Sequence, residues 1–257
     1  MITVKNLIFQ YYKGNRKVLD DLTFDVEPGS VNVLLGLNGC GKTTLIKLMA
    51  GLLEASSGQI LYDNKSLKNI PISERSKIFA YVSQRVTYND DFLVKDYLTY
   101  GFANMLKFYE TPKEEHLKKV DNIAKKLNIE HLLNKKMNQL SGGEKQIVTI
   151  ATAILQDTPI ILLDEPTSAL DLKNQNLVLS LLKEISKDGK TIIFSSHNPN
   201  HALFLEANVL LMSEGKIIIE GASESIIKKE ILRKVYGELL CFSYELPYNE
   251  VSFKNNN

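Results

Sequence analysis

The spacing of apolar residues predicts strands before residue 85 and after residue 158, with a helical stretch between them. Apolar runs bounded by turn residues predict strands at residues 2–4, 7–9, 22–26, 31–35, 59–62, 78–83, 160–163 and 191–194. From residue 85 to residue 158 the apolar residues follow a helical spacing, and no strand is evident in the pattern. We therefore expect a strand-rich core that is interrupted by an inserted helical subdomain.

A glycine-rich stretch follows the predicted strand at residues 31–35 and precedes a helical pattern at residues 42–53. Its sequence, GLNGCGKT at residues 36–43, fits the phosphate-binding pattern G-x-x-x-x-G-K-[ST] in the strand–loop–helix setting that this pattern needs. Such a setting directs backbone N–H groups and the positive end of a helix dipole at one small volume, which suits a polyphosphate. The residues expected to contact a nucleotide here are Gly36, Asn38, Gly39, Cys40, Gly41, Lys42, Thr43 and Thr44.

Four side chains of this stretch have individual predicted properties. Lys42 would reach the β and γ phosphates, and Thr43 would offer its hydroxyl to Mg²⁺. Thr44, one residue further into the helix, could reach the α phosphate. Cys40 lies beside Lys42 and a helix N-terminus, surroundings that lower the pKa of a thiol and favour the thiolate. An inert small side chain at Cys40 is equally consistent with the sequence.

Polar side chains stand at the ends of three predicted buried strands. Gln84 ends one apolar run, Asp164 and Glu165 end another, and a third run leads through two serines to His197. Because ligands of open α/β sheets bind at the carboxyl ends of strands, we expect these side chains near the glycine-rich loop. Asp164 would hold Mg²⁺, and Glu165 would polarise a water for attack on the γ phosphate. Gln84 would help to order the metal or the water, and His197 would contact the γ phosphate.

Two further stretches contain residue types that suit nucleotide contacts. Ser141, Gly142 and Gly143 open a predicted helix. A serine at such a position is usually only an N-cap, but two glycines weaken a first turn, whereas exposed N–H groups and a hydroxyl would make a second anion site. Tyr11 ends a predicted strand and could stack on adenine, although an isolated tyrosine more often has a core or surface role.

Composition and charge narrow the classes of protein to consider. Hydrophobic residues make up 44% of the 257 residues and charged residues 24%, as in an ordinary globular domain. The net charge of +1 predicts no nucleic-acid partner. Two cysteines far apart, Cys40 and Cys241, predict neither a zinc site nor a disulfide framework. A strand-like N-terminus and the lack of an apolar run of roughly 18 residues predict a cytosolic setting without leader or membrane span.

Taken in chain order, these residues resemble the motifs of the ATP-binding subunits of ABC transporters. The resemblance assigns residues 36–43 to the Walker A motif, Gln84 to the Q-loop, residues 140–146 to the signature motif, residues 160–165 to the Walker B motif, residues 168–171 to the D-loop and His197 to the switch histidine. It implies ATP and Mg²⁺ as cofactors and ATP hydrolysis as the reaction. The implied catalytic residues are Lys42, Gln84, Glu165 and His197. The implied metal ligands are Thr43, Gln84 and Asp164.

The same resemblance implies an α/β fold. A P-loop NTPase (RecA-like) core would carry an antiparallel β subdomain and an inserted α-helical subdomain. We expect one ATPase domain over residues 1–240, with its core at residues 1–84 and 159–240 and its helical subdomain at residues 85–158. Residues 241–257 would form a C-terminal tail.

Two subunits of that family pack head to tail, so the resemblance implies a homodimer that forms with ATP. Ser141, Gly142 and Gly143 of one chain would close over the ATP held by the Walker A motif of the other, and Asp171 of the D-loop would also contact nucleotide. Integral-membrane permease subunits would hold the dimer at the cytoplasmic face of the cell membrane. A substrate-binding protein would act on it indirectly.

A narrower resemblance is to importers of iron chelates, haem or cobalamin. The stretch SSHNPNHA at residues 195–202 is similar to their S-S-H-D-x-N-x-A run, and LRKVYG at residues 232–237 is similar to their L-R-x-x-Y-G run. Phe102 and Thr152 stand where arginine is common in those importers. The resemblance implies uptake of a ferric siderophore, haem or cobalamin. The alternatives are an exporter subunit or an importer of another small solute, because their catalytic residues would be the same.

Overall fold

The computed structural model describes residues 1–12, 14, 16–84, 91–107, 109–237, 240–243 and 250–253. Within those ranges the strands are β1 (Ile2–Phe9), β2 (Leu19–Val26), β3 (Val31–Leu35), β4 (Ser57–Tyr62), β5 (Lys65–Ser66), β6 (Phe79–Val82), β7 (Ile160–Asp164), β8 (Thr191–Ser196), β9 (Asn208–Ser213), β10 (Lys216–Ala222), β11 (Leu240–Ser243) and β12 (Glu250–Phe253). The α-helices are α1 (Lys42–Met49), α2 (Ile72–Ile78), α3 (Val94–Thr99), α4 (Glu114–Lys126), α5 (Gly142–Leu155), α6 (Leu172–Lys187), α7 (Pro199–Phe204), α8 (Ser223–Ile226) and α9 (Lys229–Tyr236). Short 3₁₀ helices span Leu67–Asn69, Tyr100–Phe102, Glu130–Leu132 and Met137–Gln139.

The main sheet has six strands in the order β10-β9-β3-β8-β7-β6. Five of them run parallel, and β10 is antiparallel to β9. Every residue of β3, β7 and β8 is buried, because these central parallel strands are covered on both faces. The apolar pattern had predicted these three strands but not β9, which pairs with β3. The strand order places the carboxyl ends of β3, β8 and β7 side by side.

A second sheet covers α1. Its four antiparallel strands lie in the order β2-β1-β4-β5, and the residues of β2 are buried in near alternation, as in a strand with one face in the core. Inward side chains of this sheet, including Val4 and Phe24, belong to one cluster with Leu45 and Met49 of α1 and Leu34 of β3. Packing from both sides therefore fixes α1, and with it the position of its N-terminus at the end of β3.

The elements that the structure describes between β6 and β7 are helices joined by turns, and they pack on the other face of the main sheet. Val94 of α3, Ile123 of α4 and Ile147 of α5 lie in one apolar cluster with Leu163 of β7. The predicted α/β class with a helical insertion is confirmed. The predicted limits of the helical subdomain, residues 85 and 158, stay predictions, since residues 85–90 lie outside the described part. None of the helices that the structure describes is both long enough and apolar enough to cross a membrane.

β1 is one strand, although the apolar pattern predicted two. Asn6 interrupts it with a φ of 46°, in the left-handed region, and the pairing with β2 shifts in register between Val4 and Leu7. The Asn6 backbone N–H donates to Thr23 Oγ1 at 2.9 Å instead of to the strand ladder. Such a bulge separates two apolar runs without ending the strand. The prediction of two strands was wrong for this reason.

Candidate active site

A loop at residues 36–41 joins the end of β3 to the start of α1. Gly36 passes so close to β9 that an added Cβ would lie 2.4 Å from the Met212 carbonyl oxygen. Gly41 is the N-cap of α1 and has a φ of 110°, a conformation that strains any residue with a side chain. A Cβ at Gly41 would also lie 2.7 Å from Leu19 Cδ2. These two glycines allow the tight path that presents the N-terminus of α1 at the carboxyl end of β3.

Lys42 is the first residue of α1, and its ammonium group is held inside the loop. The residue is only 4% exposed. Its Nζ donates to the carbonyl oxygens of Gly36 at 2.8 Å and Leu37 at 3.1 Å, and it lies 3.6 Å from Glu165 Oε1. A compact positive charge thus stands between the glycine-rich loop and the end of β7, where phosphate oxygens would be attracted to it.

Asp164, the last residue of β7, connects the ends of β7 and β8 to the first turn of α1. Its Oδ1 accepts hydrogen bonds from Thr43 Oγ1 at 2.9 Å and from Ser195 Oγ at 2.8 Å. The backbone N–H of Glu165 in turn donates to Ser195 Oγ at 2.8 Å. The sequence had given Ser195 no role of its own, since its only signal was its place two residues before His197. A hydroxyl and a carboxylate that meet at one point are the oxygen ligands that Mg²⁺ prefers, so these residues fit that ion.

Glu165 lies at the centre of the candidate site. It is a non-glycine residue with a φ of 45°, an uncommon backbone conformation that is often found at functional sites. Gln84 Nε2 donates to its Oε2 at 3.1 Å, and His197 Nδ1 lies 3.7 Å from the same oxygen. With Lys42 on its other oxygen, the Glu165 carboxylate contacts all three of the other predicted catalytic side chains.

A cavity of about 450 Å³ opens in front of these residues. It is lined by Val18, Asn38, Gly39, Gly41, Lys42, Thr43, Thr44, Gln84 and Glu165. Nothing in the sequence had singled out Val18. A larger cavity of about 580 Å³ lies behind the C-terminal end of α1, but it includes none of the predicted site residues. The smaller cavity is therefore the candidate nucleotide site, because the helix N-terminus and Lys42 face it.

Ser141, Gly142, Gly143 and Asp171 do not line this cavity. Ser141 is the N-cap of α5, and its Oγ accepts from the backbone N–H of Glu144 while the Glu144 carboxylate accepts from the backbone N–H of Ser141 at 2.7 Å. A Cβ added at Gly142 would meet nothing within 4 Å. Asp171 caps α6 by accepting a hydrogen bond from the backbone N–H of Asn174. Within one chain these residues start helices, and their contact with nucleotide stays a prediction.

Tyr11 lies beside the start of α1. Its hydroxyl is 3.2 Å from Thr44 Oγ1, its ring makes an edge contact with Phe9 at 5.0 Å between centroids, and 54% of the residue is exposed. An exposed ring next to the candidate site is available for stacking. Its contact with adenine stays a prediction.

Cys40 does not have the lowered pKa that its sequence surroundings predicted. The residue is 6% exposed, and burial raises the pKa of its thiol by more than the neighbouring Lys42 charge lowers it. The reading of Cys40 as a reactive thiolate was therefore wrong, and the alternative of a small buried side chain agrees with the structure. Its Sγ would lie 2.8 Å from a Cβ at Gly36, so the thiol fills space inside the loop.

We expect Cys40 to react slowly with maleimide in the folded protein. In a Cys241→Ser variant, the rate at neutral pH should be at least about tenfold lower than in denaturant, because both the thiolate fraction and access are reduced by burial. The measurement is mass spectrometry of timed samples. Equal rates in the folded and unfolded protein would contradict the buried, protonated thiol.

Comparison with known sequences gives a family and a similar protein. The chain matches the family described as ABC transporter over residues 19–168. A Helicobacter pylori protein described as a probable iron chelatin transport ATP-binding protein is 35% identical over 238 residues, which cover 92% of each chain. The two sequences are thus similar over almost the whole length of both chains.

Two solved structures have similar folds. One is an inward-facing ABC transporter described as of metal-chelate type, with a TM-score of 0.80 and 29% identity over 98% of this chain and 96% of that chain. The other is a dimeric ATP-binding cassette in a post-hydrolysis state with bound ADP and Pi, with a TM-score of 0.78 and 26% identity over 87% of this chain and 99% of that chain.

Proposed function

The chain belongs to the ABC transporter family as an ATP-binding subunit with ATPase activity, and from this premise we propose that it powers uptake of a metal chelate through a separate permease. The ATPase site rests on one observation, the meeting of Lys42, Gln84 and His197 at the carboxylate of Glu165, which lines the 450 Å³ cavity. The cargo class is supported by the similarity to proteins described as iron chelatin transport and metal-chelate type. A ferric siderophore, haem or cobalamin is the proposed load.

ATP would bind with its phosphates at the glycine-rich loop. Backbone N–H groups at the start of α1 would donate to the phosphate oxygens, and the Lys42 ammonium would exchange its carbonyl partners for the β and γ phosphates. Tyr11 would stack on adenine. Thr43, Gln84 and Asp164 would hold a Mg²⁺ ion, which when bound neutralises charge on the β and γ phosphates.

Hydrolysis would depend on Glu165. Its carboxylate contacts Gln84, His197 and Lys42. A water placed between Glu165 and the γ phosphate would give up a proton to this carboxylate while its oxygen bonds to the γ phosphorus. The bond from that phosphorus to the β–γ bridging oxygen would break, which leaves ADP and inorganic phosphate. Gln84 would orient this water through its amide. His197, 53% exposed at its side chain, would donate a hydrogen bond to the γ phosphate.

The second half of each site would come from another copy of this chain. Ser141, Gly142 and Gly143 lie away from the cavity of their own chain, and the surroundings of Gly142 are open enough for an incoming phosphate. A head-to-tail homodimer would bring this helix N-terminus, together with Asp171, to the ATP of the other subunit. The similar cassette that is dimeric with bound ADP and Pi supports a dimer of this chain.

The dimer would act at the cytoplasmic face of a membrane through its partners. Closure of the two subunits around ATP would move the helical segments between β6 and β7, which would contact the permease, and hydrolysis would reset them. A substrate-binding protein would deliver the chelate to the outer side of the permease. It would affect this chain only through the permease.

We expect the complex with its permease in liposomes to be stimulated by a binding protein loaded with a metal chelate. The ATPase rate should be compared for binding proteins charged with ferric siderophore, haem, cobalamin, zinc or an amino acid. The ATPase rate of the isolated chain should not change with any of the five compounds. The ATPase rate of a complex that carries Glu165→Gln should not be stimulated.

Stimulation by the amino acid alone would overturn the proposed cargo and leave the ATPase assignment standing. Copurification of the chain with a permease but without any binding protein would favour an exporter.

A further inference from the structure

A second histidine, His201, is buried directly behind His197. It lies on α7 and is 7% exposed, with its ring edge-on to Phe194 at 5.8 Å between centroids. Burial, and to a smaller extent His197, lowers the pKa of the His201 imidazole from 6.5 to about 4. The ring is therefore neutral at neutral pH and has one N–H donor and one acceptor nitrogen.

The ring nitrogens of His201 contact both sides of the loop that carries His197. Nδ1 is 2.9 Å from Ser196 Oγ, and Nε2 is 3.4 Å from Asn198 Nδ2. Ser196 Oγ also accepts from the backbone N–H of Asn198 at 2.9 Å. On the far side of the loop, the hydroxyl of Tyr236 on α9 donates to the His197 carbonyl oxygen at 3.1 Å. The backbone of His197 is thus held from two directions.

His201 also reaches the segment that follows Glu165. Its Nε2 is 3.4 Å from Gln175 Oε1 on α6. Gln175 Nε2 donates to the carbonyl oxygens of Leu170 at 2.9 Å and Thr167 at 3.3 Å. Because the amide nitrogen of Gln175 is occupied by these carbonyls, its Oε1 is the atom turned to His201. Residues 167–170 and the His197 loop are therefore joined through two side chains.

Each neutral form of the ring completes a different set of hydrogen bonds. With the proton on Nε2, His201 donates to Gln175 Oε1 and accepts from the Ser196 hydroxyl at Nδ1. With the proton on Nδ1, it donates to Ser196 Oγ and accepts from Asn198 Nδ2. Only the first form links the loop to Gln175, and both forms keep the buried ring bonded to Ser196.

We propose that His201 is a positioning residue for ATP hydrolysis, which fixes the His197 loop relative to residues 167–170 through its hydrogen bonds to Ser196 and Gln175. The inference rests on the proposed contact of His197 with the γ phosphate. His201 touches none of the residues that line the cavity, so it acts through the placement of His197 and of the turn after Glu165. A small displacement of a catalytic side chain lowers the rate of the chemical step without weakening ground-state binding.

The test compares kcat and KM for ATP in purified variants whose melting temperatures are also measured. His201→Phe, which keeps a ring but removes both nitrogens, should lower kcat about tenfold and leave KM for ATP within about twofold. The amide of His201→Gln can still donate to Gln175. The decrease in log kcat for this variant should therefore be at most about half of the decrease for His201→Phe. Gln175→Leu should lower kcat like His201→Phe, and the double variant should be no slower than either single one.

His116→Phe is the matched control. His116 is also a buried histidine, 9% exposed and packed on Phe102, but it lies on α4. The kcat of His116→Phe should stay within about twofold of that of the unaltered chain, even if the melting temperature of this variant is lower. If His201→Phe does not fold, Gln175→Leu alone decides the test, because that change leaves α7 untouched.

A kcat of His201→Phe within about twofold of the unaltered chain would overturn the proposal, and so would additive effects in the double variant. His197→Ala is measured beside them to separate the role of His197 from the role of His201. If His197→Ala retains full kcat, the proposed role of His197 is wrong, and the positioning role is lost with it. If His197→Ala loses activity while His201→Phe does not, only the positioning role is wrong.

Discussion

Replacing Glu165 by glutamine should lower kcat for ATP hydrolysis by about 10²- to 10⁴-fold while ATP binding is retained. An amide fills nearly the same volume but cannot accept a proton from the attacking water. The single amide oxygen of the variant can still accept from Gln84 Nε2, and Lys42 Nζ keeps the Gly36 and Leu37 carbonyl oxygens as acceptors. The loss should therefore fall on the chemical step.

The same variant should reveal the dimer. If ATP is bound but not cleaved, two copies of the Glu165→Gln chain should stay together around it, and the sample should elute as a dimer in gel filtration with Mg·ATP and as a smaller species without it. Glu184→Gln is the matched control, because Glu184 lies on α6 in an exposed ion pair with Lys126, which contributes little to stability. If Glu165→Gln elutes as a monomer and still hydrolyses ATP at the original rate, Glu165 is not the general base and the head-to-tail dimer is also contradicted.

Lys42→Ala should raise the Kd for Mg·ATP by about 10- to 100-fold. Hydrogen bonds of a charged donor contribute about 1.5–3 kcal/mol, and about 1.4 kcal/mol corresponds to a factor of ten in affinity. The structure adds a second effect, because Lys42 Nζ also donates to the Gly36 and Leu37 carbonyls. The melting temperature of the variant should consequently be slightly lower, although the packing of α1 between the two sheets is unchanged.

Titration with a fluorescent ATP analogue measures the affinity, and circular dichroism reports the melting temperature. Lys47→Ala is the control, since Lys47 lies in the last turn of the same helix and does not line the cavity. The assignment of the phosphate site would be refuted by an undiminished affinity of Lys42→Ala. A loss of similar size in Lys47→Ala would show that α1 had been disturbed instead.

Local sequence was sufficient to predict the strand, glycine-rich loop and helix that form the phosphate site. The apolar run of β3, the glycines at positions 36 and 41 and the helical spacing after Lys42 each act on the backbone within a few residues. The boundaries of β3 were correct to the residue. Local patterns failed at Asn6, where one bulged strand was read as two, because a bulge depends on pairing with β2.

Contacts between distant residues were only partly accessible from the sequence. Placement at the carboxyl ends of parallel strands was enough to expect Gln84, Asp164 and Glu165 at one edge of the sheet. It could not show that Thr43 donates to Asp164 across 121 residues of chain, or that Ser195 joins that carboxylate to the next backbone N–H. Those contacts depend on the strand order, which places β3, β8 and β7 side by side.

By itself, the sequence determined a strand-rich core with a helical insertion, the phosphate loop and the polar residues at the strand ends, since each of these follows from the chemistry and spacing of neighbouring residues. The α/β fold class was an expectation from the family resemblance, which the structure confirmed. Only the tertiary structure decided the buried state of Cys40 and the enclosure of His201. The physical reason is that desolvation and hydrogen bonding depend on every segment packed around a group, most of which are distant in sequence.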